Sequence, residues 1–411
     1  MELVQAKPDL ILPCTTDDIR RFISSVEEKE SENSRDFYLY ARDWWKSYQE
    51  ISSLHASRNG VKIFAEDETG THRSVCTFVE GVRTGRLIDS PRHAARFVAL
   101  IPFERRAGVG GRRIESWQSW HAFLARGRGD VEDHATLLCS LLLGFGLSAY
   151  VVIGTAYDDS NATADSRRDH AWVCTRASNG DVVFIESLTG QRYEFRSGGK
   201  NKNLDELPYA TVSCVFNDVG FWANKQVDDD VIETDFNFDN HVCWKSMDPE
   251  AIRVAPRPVK QCVTLLPPTI SAQVCGEELE AELRQLIVTK RNDGYGKSAI
   301  WDDGLGYLLQ PALSAYEMER LTGYSFGNDD FQSSVKNAVP DKHCFKGFPT
   351  CFSHRDANKI MTALEANNTG GDILATEGDS VKFALRVKIY CYPENVCAVW
   401  VMLAVRYCPR N

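Results

Sequence analysis

Two hydrophobic periods alternate along this chain. Helical spacing of apolar residues runs through DFYLYARDWWKSYQE from Asp36, SPRHAARFVALI from Ser90, SWQSWHAFLARGRG from Ser116 and EELEAELRQLIVTKRND from Glu277. Ser90 and Pro91 suit a helix cap and a first helical position. GLGYLLQPALSAYEMERLTG from Gly304 reads as a helix interrupted at Pro311. Strand-like runs make up the rest. VKIFAED and SVCTFVE flank a glycine turn at Glu68–Thr71 and predict a hairpin. AYVVIGT, AWVCTR, VVFIESL and YATVSCVFN predict successive strands, and VKFALRVKIYCY and VCAVWVMLAVRY, joined by PEN, predict a terminal hairpin. A helix followed by short successive strands indicates α+β architecture rather than a doubly wound parallel sheet.

The breaks in this pattern suggest boundaries. Residues 1–34 are polar, end in EEKESENSR, and read as a short helix and a linker. Residues 35–224 form a first α+β domain. Residues 225–276 turn acidic (DDDVIETDFNFDN) and then proline-rich (VAPRPVKQCVTLLPPT), and so predict a linker. Residues 277–411 form a second α+β domain ending in the hairpin.

The composition excludes several classes. The chain has 411 residues, 43% of them hydrophobic and 25% charged, as in a folded protein. Its net charge of −10 argues against nucleic-acid binding. No signal peptide and no apolar run of membrane-spanning length is expected. The 13 scattered cysteines read as reduced thiols of the cytosol, mostly buried. Arg105, Arg106, Arg112 and Arg113, close to Arg126 and Arg128, form the single basic concentration. It predicts a solvated loop, with an acidic partner surface as its candidate ligand. His343, Cys344, Cys351 and His354 lack the short spacing of common zinc knuckles, so no metal and no cofactor is expected. Trp44, Trp45, Trp117 and Trp120 are assigned to helical faces in the core.

The stretch GDVEDHATLLCSLLLGFGL, Gly129–Leu147, raises the question of chemistry. Asp130 is placed to cap a helix, with Asp133 three residues on as a weaker capping box. Glu132 and Asp133 suit the positive end of the helix, and Leu137, Leu138, Leu141 and Leu142 give it an apolar body. A thiol at such an N-terminus would be activated, with a His as base and a carboxylate to orient it. His170 in DHAWV and Glu186 in FIESLTG supply those two. Val131 stands where the nucleophile would be. Cys139 lies about 12 Å further along the helix axis and should be buried. His134, one turn in, should be partly exposed.

This order of motifs, together with YARDWW, VKIFAED, GRLIDSPRHAARFV, FERRAGVGG, VSCVFN, YLLQPALSAYEMER, FKGFP and YPENVCAVWVM, resembles the centrosomal protein of 76 kDa family over roughly residues 36–407. The resemblance implies a papain/transglutaminase-like core with a family C-terminal domain. By position it puts the catalytic Cys of the wider clan on Val131, the His on His170 and the third member, usually Asp, on Glu186. It implies a degenerate site with no catalytic residue, hence a pseudoenzyme scaffold of the centriole, basal body or cilium. Such a scaffold would limit centriole reduplication through contacts with centriolar or ciliary proteins. Family members carry a C2-type β-sandwich before this region, for which this chain has no room. The alternative is an active cysteine hydrolase or transglutaminase that takes its thiol from another segment, with Cys14 and Cys174 the candidates.

Overall fold

The computed structural model describes residues 16–51, 60–105, 116–157, 166–195, 207–257, 264–325 and 329–409. Helix α1 spans Thr16–Gln49, so the charged run predicted as a linker is helical throughout. No glycine or proline interrupts it, and Glu, Lys, Arg and Ser sustain a helix. Phe37, Ala41, Trp44 and Tyr48 lie on one face and are buried. Trp44 Nε1 donates to the Ser246 carbonyl at 2.9 Å and Tyr48 Oη to that of Asn224 at 2.7 Å, fixing the helix to distant chain.

Strands β1 (Phe64–Glu66) and β2 (His72–Ser74) form the first hairpin, whose turn Asp67 organises by accepting the N–H groups of Thr69 and Thr71. The second strand is shorter than predicted. Val75–Phe78 is a 3-10 turn with all four side chains buried, an arrangement an alternating strand cannot provide. Helix α2 (Pro91–Ala99) is capped by Ser90, which accepts the His93 N–H. Helix α3 (Trp120–Arg126) starts after Trp117, which is buried in extended chain instead of on the predicted helical face. The Trp117 N–H bonds the Glu66 carbonyl at 2.8 Å. Helix α4 (Val131–Gly144) follows.

Next come β3 (Ala149–Tyr157), β4 (Arg167–Arg176), β5 (Val182–Ile185), β6 (Arg192–Phe195), β7 (Tyr209–Phe216), β8 (Phe221–Asn224) and β9 (Trp244–Ser246). They form an antiparallel sheet in the order β6-β5-β4-β3-β7-β8-β9. Both faces are covered, which is why β7 is buried at every position. Helix α4 packs against one face, over β3 and β4. On the other, Val231, Phe236, Phe238 and Trp244 join Trp172, Phe184 and Tyr209 in a second cluster.

That cluster corrects the predicted linker 225–276. Its acidic residues are turn formers. Asp228, Asp230 and Asp235 each accept a backbone N–H two residues on, at 2.9, 2.8 and 2.9 Å, and so aim the intervening aromatics at the sheet. Helix α5 (Pro249–Val254) completes this part.

Helix α6 spans Ala272–Tyr295, and α7 spans Asp303–Thr322 without the predicted interruption. Pro311 and Tyr307, the residue four before it, are both exposed, so the carbonyl freed by the proline faces water. After α8 (Asp329–Ala338) comes β10 (Cys344–Phe352), a strand the sequence pattern did not predict. Helices α9 (Ala357–Ala366) and α10 (Asn368–Ala375) precede β11 (Asp379–Cys391) and β12 (Cys397–Cys408). The predicted terminal hairpin is present, and β12 is the centre of a three-stranded sheet, order β10-β12-β11.

The two halves share one core. Leu309, Leu313, Trp400 and Met402 belong to the same apolar cluster as Phe97, Val131 and Leu138. At this junction Arg96 on α2 meets Glu317 on α7.

Candidate functional site

The first turn of α4 carries a complete capping box. Asp130 Oδ1 accepts the Asp133 N–H at 3.1 Å, and Asp133 Oδ2 accepts the Asp130 N–H at 3.2 Å. Asp133 does more than the sequence suggested. It also accepts the backbone N–H of Gln118 and, on its other oxygen, the Gln118 side-chain amide, both at 2.6 Å. Gln118 Nε2 lies 3.3 Å from the Arg128 carbonyl as well, so its amide is held inside the fold.

Val131 is the first residue of this helix and is 7% exposed. The predicted partial exposure of His134 is not found. That ring is fully buried, with Nδ1 2.6 Å from the Asp130 carbonyl and Nε2 2.9 Å from that of Ile101. Burial pushes its pKa down. Cys139 is buried, and desolvation raises its thiol well above the ordinary range.

The sheet brings His170 and Glu186 together. His170 lies on β4, and Glu186 follows β5, the next strand in the sheet. The Glu186 N–H bonds the Gln191 carbonyl and its carbonyl accepts from Gly190, whose φ of 73° closes the turn. His170 Nε2 and Glu186 Oε2 are 2.8 Å apart, with exposures of 6% and 10% for the side chains. Tyr209 Oη on β7 donates to the same oxygen at 3.2 Å, and the Leu188 N–H donates to the other at 3.1 Å. Burial pushes the Glu186 carboxyl up, but the His170 contact and these hydrogen bonds outweigh it and hold the group below its ordinary range. Burial, reinforced by the charge of Glu186, pushes the Tyr209 hydroxyl well up. Trp172 stacks on Tyr209 at 4.2 Å between ring centroids, with His170 on the fringe of the stack.

Tyr209 and Gln118 were not found by sequence reasoning. Tyr209 reads as an ordinary strand residue, and only the strand order, which inserts β3 between β4 and β7, identifies it as a neighbour of the dyad. Gln118 carries a weak signal, a polar residue between two tryptophans just before a helix cap.

The arrangement can hold a proton between His170 and Glu186 and hydrogen-bond a partner through the remaining ring nitrogen. At the start of α4, Val131 carries no ionisable atom. Cys174 lies four residues along β4 from His170, about 13 Å at strand rise. It is fully buried, with its thiol pushed far up by desolvation. Cys14 lies outside the described residues.

His343, Cys344, Cys351 and His354 lie at or beside β10. Cys344 and Cys351 are seven residues apart on the extended strand β10, about 23 Å. Among the described residues no group of three or more His, Cys, Asp or Glu is arranged to hold a metal. Of the basic loop, Arg105 packs over the Phe103 ring at 5.9 Å, while Arg106, Arg112 and Arg113 lie outside the described residues. Arg126 and Arg128 both pair with Glu104, at 3.0 and 3.4 Å, so the basic concentration is partly balanced. No helix among the described residues is long and apolar enough to cross a membrane.

With this geometry in view, comparison with known proteins is specific. A family model described as "CEP76 peptidase-like domain" matches residues 115–247, and one described as "Centrosomal protein of 76 kDa C-terminal domain" matches residues 268–408. The centrosomal protein of 76 kDa from Mus musculus is 43% identical over 394 residues, covering 92% of this chain and 58% of that protein. The Danio rerio protein of the same name is 42% identical over 423 residues, covering 98% and 62%. The chain therefore spans about three fifths of the length of these relatives. Among solved structures, Legionella pneumophila LapG (EGTA-treated) aligns with a TM-score of 0.26 and 18% identity, over 34% of this chain and 67% of that one, too loosely to carry an argument.

Proposed function

The chain belongs to the centrosomal protein of 76 kDa family, and from that premise we propose that it is a non-catalytic scaffold of the centrosome. Its relatives' name gives it its address at the centrosome. Its work there, on this reading, is to hold centriolar or ciliary proteins and so limit centriole reduplication. The peptidase-like half is a platform for contacts, not a hydrolase.

One observation carries the proposal. The residue at the start of α4, where a helix N-terminus and the His170–Glu186 dyad would serve a thiol, is Val131, which has no ionisable atom. The surroundings support the same reading. Val131 and His170 are only 7% and 6% exposed, so the site offers a substrate little access. The described thiols near this core, Cys139 and Cys174, are fully buried.

The test is an assay of the full chain for amidase and transamidase turnover, run beside His170→Ala. The expected result is no turnover above buffer in either protein, with His170→Ala still recruited to centrosomes in cells. Turnover in the native chain that disappears in His170→Ala would establish an enzyme and overturn the scaffold reading.

A further inference from the structure

Away from the peptidase-like half, α8 and the start of β10 line an open groove of about 510 Å³. Its floor is apolar. Val335 is 6% exposed, and Phe331, Val339 and Phe345 are partly buried against the main core. Its rim is basic. Lys336 and Lys342 are both exposed, and neither carries an ion pair among the described residues. His343 adds a further nitrogen base to the lining, and Asp341 is its single acid. This basic rim belongs to a chain whose net charge is −10.

We propose that this groove docks an acidic segment of a partner protein through a large apolar anchor side chain. The size falls in the range of recognition pockets, which bury an apolar group and fix it with few polar contacts. Phe331, Val335, Val339 and Phe345 would desolvate the anchor, and Lys336 and Lys342 would meet carboxylates on either side of it. A basic partner would be repelled at the rim. A purely apolar one would gain nothing from the two lysines. Nucleic acid could meet the two lysines but has no apolar side chain to fill the floor. The inference does not depend on whether the peptidase-like half performs chemistry.

Fluorescence anisotropy with the full chain tests it. The probe is a labelled octapeptide with one Phe and one Leu among Asp and Glu residues. Its counterparts carry Lys in place of the acids, or Ser in place of Phe and Leu, and oligothymidylate serves as the nucleic-acid probe. The acidic apolar peptide is expected to bind saturably and more weakly as salt rises. The exposed-surface variant Lys336→Glu/Lys342→Glu should weaken it about tenfold at an unchanged melting temperature. Both counterpart peptides should bind at least that much more weakly. Four results overturn the proposal: no saturable binding of the acidic apolar peptide, equal binding of either counterpart, equal binding to the doubly substituted chain, or preference for oligothymidylate.

Discussion

Arg96 and Glu317, 221 residues apart in sequence, form a two-bond ion pair that joins the halves of the molecule. Arg96 Nε lies 3.0 Å from Oε1 of Glu317 and an Arg96 terminal nitrogen 2.8 Å from Oε2. The Trp400 indole donates to Glu317 Oε2 at 2.5 Å, the Tyr392 hydroxyl donates to Oε1, and the Glu317 side chain is fully buried. Arg96 also lies 3.3 Å from Cys351 Sγ.

Removing one partner of this pair should uncouple the halves. Glu317→Ala leaves a mostly buried guanidinium without its carboxylate, which should cost about 3–5 kcal/mol of unfolding free energy by chemical denaturation. Arg96→Lys should cost less, because the ammonium keeps the charge but not the fork of donors. A loss under 1 kcal/mol in Glu317→Ala would show that the pair adds little to the shared core.

The same pair sets a pH dependence. Burial pushes the Glu317 carboxyl up, but Arg96, Tyr392 and Trp400 outweigh it and hold the group below the ordinary glutamate range. Its folded pKa is thus below its unfolded value of about 4.3, so the unfolded chain binds more protons between the two. The stability Glu317 contributes is complete above that unfolded value and is lost as pH falls through the folded one. The stability gap between the native chain and Glu317→Gln, measured by denaturation from pH 7 down to pH 3, should narrow at the acid end. A gap that widens on acidification would reverse the assigned direction.

Restoring a thiol should not restore chemistry. Val131→Cys puts sulfur at the helix N-terminus, but that position is 7% exposed and His170 6%, so little of either is open to a peptide. We expect no turnover of fluorogenic peptide amides. The stability cost should be about 1 kcal/mol, from the smaller side chain. Turnover blocked by iodoacetamide would mean that only the nucleophile had been lost.

Gly154 should not tolerate a side chain. It faces His170 across the β3–β4 ladder, and a Cβ there would lie 1.8 Å from the Thr211 carbonyl oxygen on β7. That neighbour is backbone and cannot turn aside. The β3–β7 register already shifts at this point. Gly154→Ala should lose about 3 kcal/mol in thermal or chemical unfolding, and wild-type stability in that variant would refute the close approach.

Thiol reactivity should sort by burial. Cys344 is exposed, whereas Cys76, Cys139, Cys174 and Cys214 are fully buried, with desolvation pushing Cys76 and Cys214 up to about 12. Mass spectrometry after timed alkylation at pH 8 should find Cys344 modified first among the described thiols and these four only after denaturant is added. Rapid native labelling of Cys174 would reopen the recruited-thiol mechanism.

By itself the sequence determined the elements whose signals are local. The caps at Ser90 and Asp130, the apolar body of α4 and the alternation in β11 and β12 are each written within a few neighbouring residues, because capping and side-chain period are short-range effects. His170 and Glu186 were also legible, since one hairpin separates them. Only the tertiary structure decided the rest. It turned an acidic linker into Asx turns carrying a second core, because the aromatics among those acids had a sheet face to cover. It made β10 a strand, because β12 offered a free edge for pairing. It also supplied Glu186 with Tyr209, Asp133 with Gln118, and Glu317 with Arg96. Each of these last three is a buried carboxylate that must find donors wherever the packed chain brings them, and no local pattern records that choice.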